Sequence, residues 1–268
     1  MTQLISEGEC LYCKEKFSKV AINRHLQKHL TEKSKENKSG KSFLLKVETN
    51  PKWGSSPYFL SLWADGEALI EDIDYFLREI WLECCGHMSS FTNPKNKAKG
   101  GGWDFFETEN LLMKDKINEY EKMMEEANGE IPKSRKIKVA LSKGMKINYE
   151  YDFGSTTSLL LTVVGEYPIE ADKGIVLLSR NEPLQILCDT CGKEAATKLC
   201  MVCAGDDESA FCDKCAKQHA KTCSDFADYA AMPVVNSPRM GVCAYTGGRI
   251  DKKRDGVYKK KMINNNRD

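Results

Sequence analysis

At 268 residues, with a net charge of +1 at pH 7, 41% hydrophobic and 29% charged residues, the chain is long enough for one sizeable core with small satellites, and its balanced charge singles out no class of partner. No apolar run approaches the roughly 18 residues that cross a bilayer, and the opening Met-Thr-Gln-Leu-Ile-Ser lacks the charged and apolar regions of a signal peptide. The expectation is a soluble cytoplasmic protein without membrane contact, in whose reducing surroundings 12 cysteines point to metal rather than disulfides.

Cys10 and Cys13, followed by Phe17, Ile22, His25 and His29, have the order of a Cys2His2 finger, with a β-turn carrying the thiols and a short helix carrying both histidines. His25 and His29 stand at i and i+4 and so share a helical face. Eleven residues separate Cys13 from His25, one fewer than in most DNA-reading fingers, so the helix start is expected to be slightly shortened. At that start stand Ser18, Lys19, Ala21, Ile22 and Asn23, which suit guanine readout poorly. Nucleic acid and protein contact therefore weigh equally for a finger expected over residues 1–30, with a purely structural role as the lesser alternative. Residues 31–42 contain no apolar side chain and read as a solvated, Lys-rich linker.

An α+β body is expected over 43–180. Ser42–Thr49 and Tyr58–Ala64 read as strands on either side of a Pro51/Gly54/Pro57 turn region. Leu69, Ile73, Phe76, Leu77, Ile80 and Cys84 then recur at helical spacing, with Asp65 as the candidate N-cap and Gly86 as the stop. Asn93–Gly102 reads as a loop and Glu107–Asn128 as an acidic helix. Met145, Ile147, Tyr149, Tyr151 and Phe153 alternate with polar residues as in a half-buried strand, and Gly154-Ser155-Thr156 turns the chain into an apolar return strand over Ser158–Val164. An antiparallel sheet with packed helices, flanked by small zinc-stabilised modules, follows from this order of elements.

Ile80-Trp-Leu-Glu-Cys84-Cys85-Gly86-His87-Met-Ser89 and Tyr149-Glu-Tyr-Asp152-Phe-Gly154-Ser-Thr-Thr157 resemble the signature stretches of the plasmid pRiA4b open-reading-frame-three-like family. Pro233-Val-Val-Asn236-Ser237-Pro238-Arg239-Met-Gly241-Val-Cys243 resembles the tail of its zinc-bearing members. The resemblance covers roughly residues 43–243. It implies a fold and a setting on mobile elements as well as in cellular genomes, but no activity.

Seven cysteines and one histidine follow between Cys188 and Cys223, as Cys188/Cys191, Cys200/Cys203, Cys212/Cys215, His219 and Cys223. Eight ligands suit two structural zinc ions. Sequential sites would be closed by only eight residues, Gly192 to Leu199, whereas zinc modules of this type close over roughly 15–20. Pairing Cys188/Cys191 with Cys212/Cys215 leaves twenty residues between them, and Cys200/Cys203 with His219/Cys223 leaves fifteen, so the interleaved cross-brace is preferred. Its ligand layout resembles that of MYND and B-box modules and makes residues 181–225 a candidate site for a protein partner. With the finger, the expected zinc count is about three.

Residues 226–268 are read as a C-terminal segment ending in a mobile basic tail. From Arg249 onward, eight Lys/Arg stand against three Asp. Lys252, Lys253, Arg254, Lys259, Lys260 and Lys261 are candidate contacts to DNA or RNA phosphates.

No catalytic residue is assigned. The chain has no phosphate loop, dinucleotide fingerprint, His-Glu-x2-His or nucleophile elbow. Cys84, Cys85 and His87 would suit a nucleophile or a metal site, but Cys84 continues an apolar stripe and His87 follows a glycine stop, so core packing and a polar cap are preferred. Asp152 before a Gly turn commonly caps its own backbone. Only convergence of His87 with Asp152 across the sheet would favour catalysis. The leading expectation is a non-enzymatic zinc protein that binds or bridges macromolecules in association with nucleic acid. A protein-only adaptor and a mobile-element enzyme near His87 and Asp152 are the alternatives.

Overall fold

The computed structural model describes residues 6–36, 39–53, 56–95, 109–111, 113–114, 116–204 and 208–259. Its centre is a six-stranded antiparallel sheet of β3 (Ser42–Thr49), β4 (Phe59–Asp65), β5 (Ser89–Thr92), β6 (Lys146–Tyr151), β7 (Thr157–Tyr167) and β8 (Ile175–Arg180), in the order β5-β6-β7-β3-β4-β8. With helices packed on it, this is the α+β class read from the sequence.

Side chains alternate between the two faces of a strand, and here both faces are covered. Phe43, Leu45, Val47, Leu60, Leu62, Tyr149, Tyr151 and Leu161 meet Ile73, Leu77, Ile80 and Trp81 on one side. Leu44, Phe59, Trp63, Tyr167 and Leu178 meet Ile22, Leu26 and Leu30 on the other. This is why Phe59-Leu60-Ser61-Leu62-Trp63-Ala64 is buried throughout, whereas β6 alternates buried with less buried positions.

The second cover is the finger. Its hairpin, β1 (Glu7–Glu9) and β2 (Lys16–Ser18), leads into helix α1 (Ile22–Glu36). The backbone N–H of Leu11 donates to Leu178 O at 2.9 Å and that of Glu182 to Glu7 O at 2.7 Å, so the hairpin rests on the β8 edge. Gly8 permits that approach, because a Cβ there would lie 2.7 Å from Ser179 Oγ and 2.9 Å from Arg180 O. Asn23 Oδ1 accepts from Ser61 Oγ at 3.0 Å, and Lys33 lies over the Trp63 ring at 4.6 Å.

These contacts correct two boundaries. The linker read over 31–42 is helical through Glu36, with Lys33 also paired to Asp172 at 2.8 Å. Ser42 at its other end is buried and accepts from Trp63 Nε1 at 2.8 Å. A run without apolar residues can still continue a helix when the preceding turns supply the buried stripe. Residues 37 and 38 lie outside the described residues, as do Gly54, 96–102 of the expected loop and Glu107 of the expected acidic helix; Ile117–Asn128 is helical as α3.

The helix read from Leu69 to Cys84 is α2 (Ile70–Leu77) followed by a π-turn over Arg78–Leu82. Leu69, not Asp65, is its N-cap residue, and its N–H donates to Asp72 Oδ2 at 2.8 Å. Asp65 instead ends β4 and accepts from the backbone of Glu67 and Ala171, each at 2.8 Å. The π-turn shifts the helical phase, so that Ile80, Trp81 and Leu82 are all buried.

The chain after residue 180 is part of the body. Arg180 is fully buried and donates to Asp255 Oδ1 at 2.6 Å. Asn236 exchanges side-chain and backbone hydrogen bonds with Asn181, and Ser237 Oγ donates to the Trp81 carbonyl at 2.7 Å. A body ending at 180 would strand the Arg180 charge without its carboxylate, which the sequence-based boundary could not anticipate because Asp255 lies in a segment read as solvated.

If finger and sheet form one cooperative unit, Leu26→Ala will destabilise the whole protein by about 3 kcal/mol through loss of buried volume. Denaturant unfolding followed by tryptophan emission will show a single shifted transition; a finger that melts separately with the main transition unmoved would contradict this packing.

Candidate metal centres

Every cysteine and histidine of the chain falls into one of four groups, and within each group the four ligand atoms lie within 4.8 Å of one another. Tetrahedral coordination at zinc-like bond lengths requires ligand-to-ligand distances of about 3.4–3.8 Å. The observed pairs scatter around that range.

In the finger, Cys10 and Cys13 occupy a knuckle in which Lys14 N–H donates to Cys10 O at 2.8 Å and Lys14 adopts φ +66°. That turn points both sulfurs at α1, where Cys13 Sγ is 3.2 Å from His25 Nε2 and His25 Nε2 is 3.0 Å from His29 Nε2. Phe17 stacks on His25 with ring centroids 4.0 Å apart, which fixes the imidazole.

Between 188 and 223 the grouping is interleaved, with Cys188, Cys191, Cys212 and Cys215 in one group and Cys200, Cys203, His219 and Cys223 in the other. A three-stranded sheet of β9 (Lys198–Cys200), β10 (Ala210–Phe211) and β11 (Ala231–Pro233) and helix α5 (Asp213–His219) hold them; the short turn Ile137–Ala140 in the body is α4. Helix α5 carries Cys215 for one group and His219 for the other, and Cys223 N–H donates to His219 O at 2.9 Å to continue the turn. Cys203 Sγ lies 3.7 Å from His219 Nε2, and Cys200 Sγ lies 4.0 Å from Cys223 Sγ. Phe211 and Phe226 flank the His219 ring at 4.3 and 4.9 Å.

The thiol environments favour a cation. Backbone N–H groups of Glu194 and Lys193 bring the Cys191 thiol down to about 6, a donor arrangement suited to thiolate. Hydrogen bonding to Cys200 and burial push Cys203 up to about 12, and burial with the crowding of Cys188 and Cys212 does the same to Cys215. Three or four thiols this close ionise together only when a positive charge sits among them.

A fourth group lies where core packing is the preferred reading of the sequence and a metal site the lesser one. Cys84, Cys85 and His87, at the end of the helical segment, meet Cys243 from the C-terminal segment. Cys85 Sγ is 3.6 Å from Cys243 Sγ, which is 3.6 Å from His87 Nε2. The sequence reading treated Cys84 as core and His87 as a cap, and counted about three metal sites; the structure groups ligands for four. The signal available in the sequence was the remainder: once twelve ligands are assigned, three cysteines and one histidine are left, one more full set.

Beside this group, Asp152 adopts φ +64°, and its Oδ1 accepts from Gly154 and Ser155 N–H at 3.1 and 3.2 Å, the expected turn chemistry. Its Oδ2 accepts from Arg239 Nη2 at 2.6 Å and lies 3.6 Å from His87 Nε2, so His87 and Asp152 do converge. The Arg239 guanidinium holds the Asp152 carboxyl down at about 2, which leaves it no proton to donate near neutral pH.

Of the basic residues read as phosphate contacts, Arg254 must be withdrawn. It is buried in α6 (Lys252–Asp255) and donates to Asp251 at 2.8 Å, Glu9 at 3.1 Å and Glu182 at 3.2 Å. The segment reads as a tail because its charges lack periodicity, yet Arg254 is paired with Glu9 of the finger and Glu182, and Asp251 and Asp255 with Arg180 of β8. Lys252, Lys253 and Lys259 are exposed, whereas Lys260 and Lys261 lie outside the described residues. Among the described residues, no helix is long and apolar enough to cross a membrane.

No family model and no curated protein matches this chain. Among solved structures it is similar to a protein of unknown function, MM3350 from Methanosarcina mazei Go1, at 14% identity over 53% of this chain and 68% of that one, with a TM-score of 0.33.

The interleaved grouping makes a specific demand of variants. Cys200→Ser and Cys212→Ser should each cost one metal ion, from different groups, while each loosens the whole 188–223 module. Native mass spectrometry with limited proteolysis will report both effects; a Cys212 variant whose 188–203 half stays protected would contradict the grouping.

Proposed function

We propose that the chain is a non-enzymatic, cytoplasmic zinc protein that bridges macromolecules, and that its cross-brace holds an acidic peptide segment of a protein partner. Zinc is the metal best matched to sets of four thiolates, three thiolates with one imidazole, and two of each, at tetrahedral spacing. Thiol-rich sites of this kind also suit a reducing compartment, which supports the cytoplasm.

The observation that carries the partner class is a groove of about 530 Å³ beside α5. Phe211 and His219 line it, and Lys214, Lys217 and Lys221 line it as well. The three lysines are exposed, stand at helical spacing on one side, and enter no ion pair among the described residues. Glu208 also lines the groove, and Phe211 is almost wholly buried while His219 is partly exposed. The lining is therefore cationic on balance, three lysines against one carboxylate, which suits an extended segment rich in carboxylates.

The finger offers less to nucleic acid than its sequence suggests. Ile22 and Asn23 are buried on the sheet, and Lys19 pairs with Glu48 at 2.9 Å. Phosphate contact then rests on Lys252, Lys253, Lys259 and the last residues alone. Membership of the plasmid pRiA4b open-reading-frame-three-like family, with its mobile-element setting, remains part of this proposal. It is supported by the meeting of the three resembling stretches, as Arg239 donates to both Asp152 and Cys84.

Fluorescence anisotropy with a labelled Asp/Glu-rich peptide containing one Leu or Phe, and in parallel with a labelled oligonucleotide, tests the partner class. The substitutions Lys214→Glu, Lys217→Glu and Lys221→Glu together should weaken peptide binding about tenfold or more, at about 0.5 kcal/mol for each exposed pair lost, without changing the metal count. Tighter binding of the oligonucleotide than of the peptide, with the steep salt dependence of phosphate contacts, would overturn this reading in favour of nucleic acid.

A further inference from the structure

We propose that Cys84, Cys85, His87 and Cys243 bind a fourth zinc ion, which clasps the C-terminal segment to the end of the α2 segment at the surface and is the exchangeable one of the four. The proposal goes beyond the bridging function above and rests on other residues.

Packing against the main core accounts in part for Cys84 but not for Cys85 or Cys243. Cys85 and Cys243 are exposed thiols held 3.6 Å apart although 158 positions separate them. An apolar role would bury them, and coincidence would leave their neighbours unmatched. Instead Cys84 and His87 complete a set of four donors within 4.8 Å. The Cys85–Cys243 and Cys243–His87 separations, both 3.6 Å, are close to the edges of about 3.5–3.8 Å expected for tetrahedral zinc with sulfur and imidazole ligands.

The local backbone is built to bring them together. After the π-turn, Glu83 Oε1 accepts from Gly86 N–H at 2.6 Å, and Gly86 at φ +74° turns the chain so that His87 comes back beside Cys85. The His87 ring stands edge-on to Tyr151, with centroids 5.8 Å apart. From the other side, Arg239 is fully buried and anchors the incoming segment through Asp152, Thr157 Oγ1 at 3.0 Å and Ser155 O at 3.1 Å. Its Nη2 also lies 3.4 Å from Cys84 Sγ, an N–H directed at a ligand sulfur of the kind that orients metal sites from outside. Val242 N–H donates to Arg239 O at 3.0 Å, and Cys243 adopts φ +54°, an uncommon conformation for a non-glycine residue that here faces its sulfur toward His87 and Cys85.

Exchange follows from exposure. Each of the other three groups contains at least one buried cysteine (Cys10; Cys188 and Cys212; Cys200), whereas no ligand of the fourth is buried. Releasing metal from the first three requires local opening of the fold, and releasing it from the fourth requires only that solvent or a competing chelator reach Cys85 and Cys243.

Native mass spectrometry of the full chain with zinc will count the ions, and a chromogenic zinc chelator will time their release. The wild-type protein is expected to carry four ions and to release one in a phase about tenfold or more faster than the rest. Cys243→Ser and, independently, Cys85→Ser should each bind three ions and lose only that fast phase, with unchanged far-UV circular dichroism. Because both thiols are exposed, these variants test the site without opening the core. Three ions in wild type, a fast phase that survives both substitutions, or native protein two hydrogens lighter through a Cys85–Cys243 disulfide would each overturn the proposal.

Discussion

Strands β3 and β4 present large apolar side chains to both sides of the sheet, and a sheet of this kind needs two covers. The α2 segment supplies one from within the body. The other side, with Phe59, Trp63 and Tyr167, is closed by Ile22, Leu26 and Leu30 of the finger helix. At about 25 cal/mol per Å² of apolar surface removed from water, three fully buried aliphatic side chains stabilise that contact by several kcal/mol. The finger is thereby drawn into the core, and with it the face that a DNA-reading finger keeps free. The hydrogen bond from Ser61 Oγ to the buried Asn23 side chain is the local sign of this packing.

Covering the sheet leaves charged side chains inside, and each is matched. Arg180 meets Asp255, Arg239 meets Asp152, and Arg254 meets Asp251, Glu9 and Glu182. A buried pair contributes little net stability, but removing one partner costs about 3–5 kcal/mol because the other charge stays buried. These pairs therefore act chiefly as a registry. Two of them fix where the C-terminal segment crosses the body, and the third ties α6 to the finger and to Glu182 just after β8. The cross-brace is consequently an insertion between β8 and a segment that returns to the body, not a module hung on its end.

The alternation from Lys146 to Tyr151, the apolar run of β3 and the paired cysteines were legible because each signal is local and periodic. Phe153, expected to continue the buried face, is instead exposed beyond the strand end, and Asp152 is buried in the turn. Ser42–Thr49 is the β3 span as read, and the spacing of Cys191 from Cys212 was enough to prefer the grouping that the structure displays. What could not be read depends on distant residues. Thr31–Glu36 looks like solvent-exposed spacer because its own side chains are polar, and only the helix it prolongs shows otherwise. Arg254 looks like one basic residue among many until Glu9, 245 positions away, is brought to it. The fourth ligand group was hidden for the same reason: Cys243 is a single thiol in sequence, with no partner at ligand spacing.

The metal groups divide by what surrounds them. The cross-brace has a core of only a few buried residues, among them Phe211, Phe226 and the ligand Cys200. An apolar cluster of that size cannot offset the entropy of ordering the module, so a metal held there would contribute to its folding free energy. The Cys84/Cys85/His87/Cys243 group lies instead on a body whose main cluster includes Trp81, Tyr149 and Tyr151. The segment bearing Cys243 is already anchored by Arg239 and Ser237. A metal at that position finds its ligands positioned in advance and is not needed to fold them. Its removal would loosen the surface clasp while leaving the sheet intact, which is the physical condition for a site that can gain and lose its ion under native conditions.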